Sequence, residues 1–381
     1  MSSIDSILPF SIALGPDAAL DSILVSVPGK WGVVLLCDQN AAPLQILCTR
    51  NMRAMLRRRF ELPAEPQSPS KRLDYRAWVR SIRWQRADSE LEMDLVYIEA
   101  ARVCFPVHWR GLIPDRRAFF VTIDLSQTFP DFKRVTEPEA DGIVFGPFVD
   151  KTKADRWIDQ VRDAFDLCRY HNILVQSPHG RACTYKQMGK CPAPCDGSVS
   201  MESYRSSVAA AVESVTNVPV QISQLKEKMN RHAAALEFES AGREKLRLDR
   251  LNALGGGVHH SIRPLGSFDY LAVQSGARKG TAKIFRVKAT GVVEVAGVRG
   301  EAFEFELLKK MFDLVSDQSE CPPGVILGAV CHYLGRVKSS GTFLRLATID
   351  EAQLRNAVRA AMKFQPAADD AETIRETAIP S

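Results

Sequence analysis

The stretch Cys183–Gly197, CTYKQMGKCPAPCDG, holds three cysteines within thirteen positions, and a fourth, Cys168, lies upstream of it. Fourteen, seven and three residues separate these four thiols in turn. Pro192 and Pro194 exclude a regular helix and stiffen a loop that can point two thiolates at one centre. Because the chain shows no sign of secretion, four clustered thiols indicate a metal site in preference to disulfides.

The spacing leaves the identity of the metal open. Zinc accepts four cysteines in a tetrahedral set, and an iron–sulfur cluster accepts the same ligands. Zinc sites usually present two tight CxxC pairs and this stretch has none, so the pattern favours a cubane iron–sulfur cluster, with zinc as the alternative. Free structural thiols are the third interpretation. We expect the remaining, scattered cysteines to fill the core; they are Cys37, Cys48, Cys104, Cys321 and Cys331.

Length and composition indicate a folded protein of several domains. The chain has 381 residues, of which 45% are hydrophobic and 25% are charged. That length exceeds one ordinary core, so we expect two to four domains. The N-terminal residues lack a basic segment, and no apolar run approaches the roughly 20 residues of a membrane span. We therefore expect a cytoplasmic protein without membrane contact.

Charge is distributed unevenly along the sequence. The net charge is +5, yet residues 50–86 hold eleven basic residues against three acidic ones, with Tyr75, Trp78 and Trp84 between them. Such a segment is typical of a nucleic-acid surface, because each cation near a phosphate releases a condensed counterion. A solvated helix face is the alternative. The predicted DNA-binding residues are Arg50, Arg53, Arg57, Arg58, Arg59, Lys71 and Arg72.

Hydrophobic periodicity predicts a mixture of helices and strands. GVVLL at 32–36 and LQILC at 44–48 predict a hairpin of strands, and NMRAMLRRRF at 51–60 predicts a helix capped by Asn51. Alternating segments predict further strands at 78–84, 118–125 and 143–148 and a β-type region over 264–335. Further helices are predicted over 89–102, 151–167, 201–254, 303–315 and 351–364.

Residues 183–204 resemble the signature of the UvrC family, the excinuclease ABC components that act in bacterial nucleotide excision repair. Met188, Pro194, Gly197 and Tyr204 match that signature together with its three cysteines. The resemblance implies a four-iron, four-sulfur cluster with an upstream fourth ligand. The implied ligand set is Cys168, Cys183, Cys191 and Cys195. FGPF at 145–148 resembles a further family segment.

The segment LKEKMNRHAAALEFESAGREKLRLDRL at 225–251 is similar to the UVR motif of that family, a helical hairpin. Its apolar residues form two stripes, with a turn predicted at 236–239. A hairpin this short buries little area by itself, so it needs a partner or the rest of the chain. The resemblance implies docking on a UvrB-type protein; packing within the chain is the alternative. The predicted contact residues are Leu225, Met229, Leu236 and Phe238.

The first part of the chain resembles the GIY-YIG nuclease domain that opens UvrC. Arg53 and Glu99 fall on the family's arginine and metal-binding glutamate and are the candidate catalytic residues. Val34 and Gln45 replace both motif tyrosines, and neither can relay a proton. Loss of an acid/base group costs about 10² to 10⁴ in rate, so we expect reduced or lost incision.

Three alternatives at this site stay open. Arg53 and Glu99 could form only a surface ion pair. Tyr75 or Tyr97 could replace the missing tyrosines if the fold brings one of them inward. Mg²⁺ or Mn²⁺ is expected only if the nuclease site is active.

The sequence therefore predicts an α+β multidomain protein. The predicted domains are a small GIY-YIG-like α/β domain at 1–114, linker strands with the Cys-rich metal-cluster region at 115–200, a helical region with the UVR hairpin at 201–256, a mixed, β-rich C-terminal domain at 257–365 and a disordered tail at 366–381. After Leu254 we find no pattern like the second nuclease half of UvrC, which predicts a truncated form.

The resemblance implies a role in nucleotide excision repair, with binding to damaged double-stranded DNA and to a UvrB-type protein. The alternative is an active, metal-dependent GIY-YIG endonuclease that makes a single incision in damaged DNA. A four-thiol metalloprotein unrelated to DNA is the third hypothesis.

Overall fold

The computed structural model of the chain describes residues 3–15, 19–61, 75–113, 116–138, 142–255, 262–300, 303–306, 310, 321–334 and 341–363. The chain divides into two compact units. Unit 1 comprises Met1–Arg116, Asp269–Cys321 and His332–Ser381, and unit 2 comprises Arg117–Phe268 and Pro322–Cys331. Residues 269–321 and 332–381 thus group with the N-terminal residues; the boundaries given above stay a prediction. The tail predicted at 366–381 lies outside the described residues.

The N-terminal part of unit 1 is built around an antiparallel sheet. Its elements are α1 (Ile4–Ile7), β1 (Phe10–Ala13), α2 (Leu20–Leu24), β2 (Gly32–Cys37), β3 (Pro43–Thr49), α3 (Met52–Phe60), α4 (Tyr75–Trp78), β4 (Ser81–Arg86), α5 (Glu90–Cys104) and α6 (Trp109–Leu112). The strand order is β1-β4-β2-β3. Val34 lies opposite Leu47 in the β2–β3 hairpin, which confirms the predicted pair of strands.

Capping and apolar spacing explain the two helices that pack on this sheet. The Asn51 side chain accepts a hydrogen bond from the Ala54 amide at 3.0 Å, and α3 begins at the next residue. The Ser89 hydroxyl accepts one from the Glu92 amide at the start of α5. Both helices are confirmed. In α3 the predicted apolar face is buried; it consists of Met52, Met55, Leu56 and Phe60.

Unit 2 combines a sheet with the cysteine loop and a helical region. Its elements are β5 (Phe119–Ile123), β6 (Lys133–Val135), β7 (Ile143–Phe148), α7 (Lys151–Ala164), α8 (His171–Leu174), α9 (Thr184–Gln187), α10 (Met201–Thr216), α11 (Val218–Ala234), α12 (Phe238–Gly255) and β8 (Arg263–Pro264). The strand order is β6-β5-β7-β8. Trp157 of α7 anchors the core, with ring centroids 5.1 Å from Phe145 and 5.8 Å from Phe148.

The C-terminal part of unit 1 is a second antiparallel sheet covered by a helix. Its elements are β9 (Asp269–Ser275), β10 (Thr281–Lys288), β11 (Gly291–Arg299), β12 (Gly341–Arg345) and α14 (Glu351–Lys363), and α13 (Pro323–Leu334) precedes β12 in the chain. The strand order is β11-β10-β9-β12. Leu354 and Val358 of α14 pack on Leu271 and Val273 of β9. The β-type region predicted over 264–335 is confirmed for β9, β10 and β11 and is wrong at 323–334, where the apolar run forms the helix α13, most of which belongs to unit 2. The last helix is confirmed, whereas most of 303–315 lies outside the described residues.

A buried ion cluster joins β10 to α5 inside unit 1. Lys283 Nζ lies 2.6 Å from Glu92 Oε1 and 2.9 Å from Asp88 Oδ2. Burial raises the pKa of Glu92, and the charge of Lys283 opposes that shift. Burial alone would lower the pKa of Lys283, but the two carboxylates outweigh it and raise the pKa above its usual value. These charges stabilise the fold only as a set, because an unpaired buried charge is costly.

Among the described helices, none combines the length and the hydropathy needed to cross a bilayer.

Candidate functional site

The four clustered cysteines of unit 2 lie on one loop between α7 and α10. We call residues 168–197 the cysteine loop. Two hydrogen bonds close it: the Gly180 amide donates to the Cys195 carbonyl at 2.8 Å, and the Ser177 hydroxyl donates to the Pro194 carbonyl at 2.6 Å. Ala193 takes a left-handed conformation with φ of 58°, which turns the chain between the last two cysteines.

Two of the four thiols are in direct contact. Cys168 and Cys191 share a hydrogen bond, which lowers the pKa of Cys191 and raises that of Cys168. Charge on Cys183 or Cys195 opposes ionisation of Cys191. The Tyr204 hydroxyl accepts a hydrogen bond from the Cys168 amide at 3.1 Å, which fixes the upstream end of the loop.

The placement of these thiols falls short of a complete ligand set. Each of the nine cysteines is a free thiol. Within the described ranges, no three or more His, Cys, Asp or Glu side chains are grouped so that they could hold one metal ion. The loop brings Cys168 to Cys191 and leaves Cys183 half-buried. Both the iron–sulfur cluster and zinc therefore stay predictions.

The predicted hairpin consists of α11 and α12, joined at residues 235–237. Leu236 adopts a φ of 60°, and His232 Nδ1 lies 2.6 Å from Glu237 Oε2 across the turn. At the tip the Leu236 side chain is 73% exposed and Phe238 is 69% exposed. Two large apolar side chains, separated in sequence by Glu237, thus project into solvent.

The base of the hairpin is anchored in the core of unit 2. Leu251 and Leu254 of α12 are buried there, and Ile222 and Leu225 of α11 are partly buried against the same cluster. Met229 is half-buried further along α11. Of the predicted partner contacts, Leu225 therefore packs internally, whereas Leu236 and Phe238 remain accessible. Internal packing accounts for the base of the hairpin and does not account for its tip.

The GIY-YIG-like motif of unit 1 has no room for a tyrosine at its first position. Val34, which stands at that position, is completely buried together with the opposite residue, Leu47. At the second position, Gln45 Oε1 accepts hydrogen bonds from the Tyr75 hydroxyl at 3.0 Å and from Arg59 Nη1 at 3.3 Å. The fold thus brings the hydroxyl of Tyr75 to Gln45, the position at which the sequence resemblance predicts a tyrosine.

The two candidate catalytic residues are not joined by any contact. The Arg53 guanidinium donates from Nε to the Val27 carbonyl at 2.8 Å and from Nη2 to the Val25 carbonyl at 3.2 Å. Glu99 is half-buried on α5. In the described part of the chain no ion pair links Arg53 to Glu99, so the ion-pair alternative lacks a contact. The Tyr97 hydroxyl is committed elsewhere, since it donates to the Leu112 carbonyl at 3.1 Å.

Most arginines of the basic segment, residues 50–86, are engaged inside unit 1. Four of them pair with acids outside that segment; the pairs are Arg50–Glu90, Arg57–Asp21, Arg83–Asp5 and Arg86–Asp88. Arg50 also lies over the Trp31 ring, and Arg59 binds Gln45 and Tyr75. Arg58 is exposed, whereas Lys71 and Arg72 lie outside the described residues. The DNA-binding role of these residues stays a prediction, and nearby acids compensate much of the positive charge of the segment.

Sequence reasoning missed two features of this site. The carboxylate partners of the arginines are distant along the chain, Arg83 and Asp5 being one example, and no local pattern marks such pairs. The approach of Tyr75 to Gln45 also depends on how α4 packs against β3. A count of acids over the whole N-terminal part, in place of residues 50–86 alone, would have indicated that these arginines are compensated by carboxylates.

Comparison with known proteins places the cysteine loop in a known domain family. The family model described as "UvrC/Cho excinuclease, middle domain" matches residues 119–214, which include all four cysteines of the loop. No solved structure matches the chain.

Similar proteins carry a consistent description. A protein from Syntrophomonas wolfei, described as "UvrABC system protein C", is 25% identical over 323 residues, covering 82% of this chain and 52% of that protein. Proteins with the same description from Trichlorobacter lovleyi and Methanococcoides burtonii are 29% and 27% identical, covering 62% and 60% of this chain and 38% of each relative. The chain thus spans about half or less of the length of these relatives.

Proposed function

The chain belongs to the UvrC family, and we propose that it acts in nucleotide excision repair as a binding component with incision activity reduced or lost. In this proposal it docks on a UvrB-type protein through the tip of the α11–α12 hairpin and also contacts damaged DNA. The observation that carries the proposal is the exposed pair Leu236 and Phe238 on a hairpin whose base is held by the core.

The hairpin geometry supports docking because the residues at the base hold the hairpin on the core and the residues at the tip are left to contact a partner. The base residues fix the direction of the two helices, so the tip is presented without an ordering cost at binding. Complete burial of a leucine or phenylalanine side chain contributes about 1.5–3 kcal/mol. Two such side chains at one turn form a contact of the kind that dominates protein interfaces.

The nuclease motif supports binding without efficient cutting. Val34 is sealed in the core, and the Arg53 guanidinium is occupied by backbone carbonyls. An arginine that stabilises a transition state must face the place where charge develops, and here it faces α2 and the residues that follow it. Glu99 alone supplies neither a proton relay nor a cation for the phosphate.

One observation favours the alternative, an active endonuclease that makes a single incision. The Tyr75 hydroxyl reaches Gln45, and Arg59 stands beside it. A tyrosine next to an arginine could activate water if Mg²⁺ or Mn²⁺ were bound at Glu99. Metal-dependent incision that disappears in Tyr75→Phe would support this alternative.

The metal assignment is a separate proposal. An iron–sulfur cluster on Cys168, Cys183, Cys191 and Cys195 is supported by the position of all four on one closed loop and by the interaction of the Cys168 and Cys191 thiols. Cluster binding would have to draw Cys183 and Cys195 towards that pair. Anaerobically purified protein should then contain about four irons per chain and absorb in the visible range, and Cys191→Ser should lose both. Stoichiometric zinc without iron would replace this assignment by the tetrahedral alternative.

The docking proposal is tested by one substitution with a matched control. Phe238→Asp places a charge at the tip, in the first turn of α12, where an acid is compatible with the helix dipole. Binding to a UvrB-type protein, measured calorimetrically, should weaken at least tenfold. Val220→Asp changes another exposed apolar residue, 53% exposed in the first turn of α11, and should bind as the wild type does. Equal losses in both variants, or unchanged binding in both, would overturn the proposal.

A further inference from the structure

We propose that the outer face of the cysteine loop binds a nucleic-acid strand with an unpaired base, using Tyr170 as a stacking surface and Arg181 and Lys190 as phosphate contacts. The proposal rests on the proposed function in that it names the form of DNA which this protein engages. It adds a contact surface separate from the thiols, the hairpin tip and residues 50–86.

The first support is a pair of uncompensated cations. Arg181 and Lys190 are exposed, and no described residue accepts a hydrogen bond or forms an ion pair with either side chain. Asp196, the acid of this loop, is taken by Lys186, whose Nζ lies 2.7 Å from Asp196 Oδ2. The positive charge of Arg181 and Lys190 is therefore available to a phosphate backbone.

The second support is an aromatic pair in the same loop. Tyr170 is 44% exposed, and its ring meets that of Tyr185 edge to face with centroids 5.9 Å apart. The Arg169 guanidinium lies 4.8 Å from the centre of the Tyr185 ring. Two acids of α7, Asp159 and Asp163, hold Arg169 in place. Arg169 thus holds the Tyr185 ring in position. The Tyr185 ring packs against Tyr170, which remains 44% exposed.

Backbone contacts bring the two supports together. The Lys190 amide donates to the Tyr185 carbonyl at 2.9 Å across the turn that ends α9, which brings the backbone of Lys190 next to Tyr185. The Arg181 carbonyl is 3.9 Å from Cys195 Sγ, which ties that residue to the same closed loop. The exposed Met188 extends the apolar part of this face.

The chemistry favours an unpaired strand over a duplex. Bases in a duplex are already stacked on each other, and an open tyrosine ring offers them nothing further. An unstacked base gains about 1–3 kcal/mol on an aromatic side chain, while the adjacent phosphates meet the cations. An acidic protein surface would use the cations and would leave Tyr170 without a role.

The test measures binding of the full-length protein to a labelled single-stranded oligonucleotide and to a duplex of equal length, over a range of salt. Arg181→Ala with Lys190→Ala should reduce the slope of log affinity against log salt by about 1.4 for the single strand, at about 0.7 per cation. Tyr170→Ala should weaken single-strand binding about tenfold and duplex binding far less.

The control is Lys151→Ala, which removes the same charge from the first residue of α7, about 12 Å along that helix from Asp159. It should leave both affinities within about twofold. Single-strand binding that is unchanged in Tyr170→Ala and in the double variant would overturn the inference. Loss in the double variant alone would also overturn it, because it would show a phosphate contact without a stacked base. Retained docking to a UvrB-type protein in either case would leave the proposed function intact.

Discussion

Residues 50–86 and residues 179–190 carry positive charge in opposite ways. The first segment is the most basic part of the sequence, yet its arginines contact carboxylates, carbonyl groups and aromatic rings of unit 1. The second has few charges, yet Arg181 and Lys190 are exposed and uncompensated within the described part of the chain. Formal charge in a sequence window is therefore a poor measure of the charge that a polyanion encounters.

The physical reason lies in how ion pairs form. An exposed ion pair such as Arg57–Asp21 stabilises the fold by only about 0–1 kcal/mol. It nevertheless cancels the long-range field of its cation, because at the Debye length of about 10 Å in 0.1 M salt a phosphate sees the pair as a dipole. The ion pairs of unit 1 therefore remove charge from its surface, whereas the cysteine loop keeps the charges for which we propose a role in recognition.

The largest change in the free energy of unfolding is expected at the buried ion cluster of unit 1, where charges are held inside the fold. Lys283→Met leaves Glu92, whose side chain is only 8% exposed, without its cation, while Asp88 keeps its ion pair with Arg86. The free energy of unfolding should fall by about 3–5 kcal/mol, as for other broken buried pairs. Chemical denaturation measures this. Adding Glu92→Gln should restore part of the loss, and a double variant no better than the single one would contradict the electrostatic explanation.

A smaller effect is expected at Arg53. Arg53→Ala removes two charged hydrogen bonds to the carbonyls of Val27 and Val25, and the free energy of unfolding should fall by about 1–3 kcal/mol. Arg57→Ala, on the same helix, breaks one exposed ion pair and should cost less than about 1 kcal/mol. Unchanged stability in Arg53→Ala would show that this guanidinium is free for a phosphate.

The smallest effect concerns a single surface pair. Asp21→Asn releases Arg57 from its partner without changing the size of the side chain. Duplex affinity at low salt should then rise about two- to threefold, since one cation contributes a slope of about 0.9 in log affinity against log salt. A decrease, or no change at about 50 mM salt or below, would mean that the Arg57 charge is already available in the wild type.

Local patterns predicted the elements of the fold well. Asn51 and Ser89 mark helix starts by side-chain capping, and the alternation around Val34 marks a strand, because both signals act between near neighbours. The signature at Cys183 to Tyr204 led to the family for the same reason.

The parts that depend on distant packing could not be predicted. The sequence around Gln45 does not predict its hydrogen bond with Tyr75, and the sequence around Arg83 does not predict its ion pair with Asp5. Residues 269–321 also group with the N-terminal part of the chain, a pairing that sequence order conceals. The hairpin shows both cases at once: its helices follow from periodicity, whereas the burial of Leu225 and the exposure of Phe238 follow from how α11 and α12 meet the core.

The central claim is that this protein works by binding and cuts DNA poorly or not at all. The most direct measurement incubates purified protein with a lesion-bearing duplex, with Mg²⁺ or Mn²⁺, at concentrations where the complex is seen to form. We predict a stable complex with no incision above the background without protein. A single metal-dependent incision that Glu99→Gln abolishes, while complex formation is unchanged, would contradict the claim.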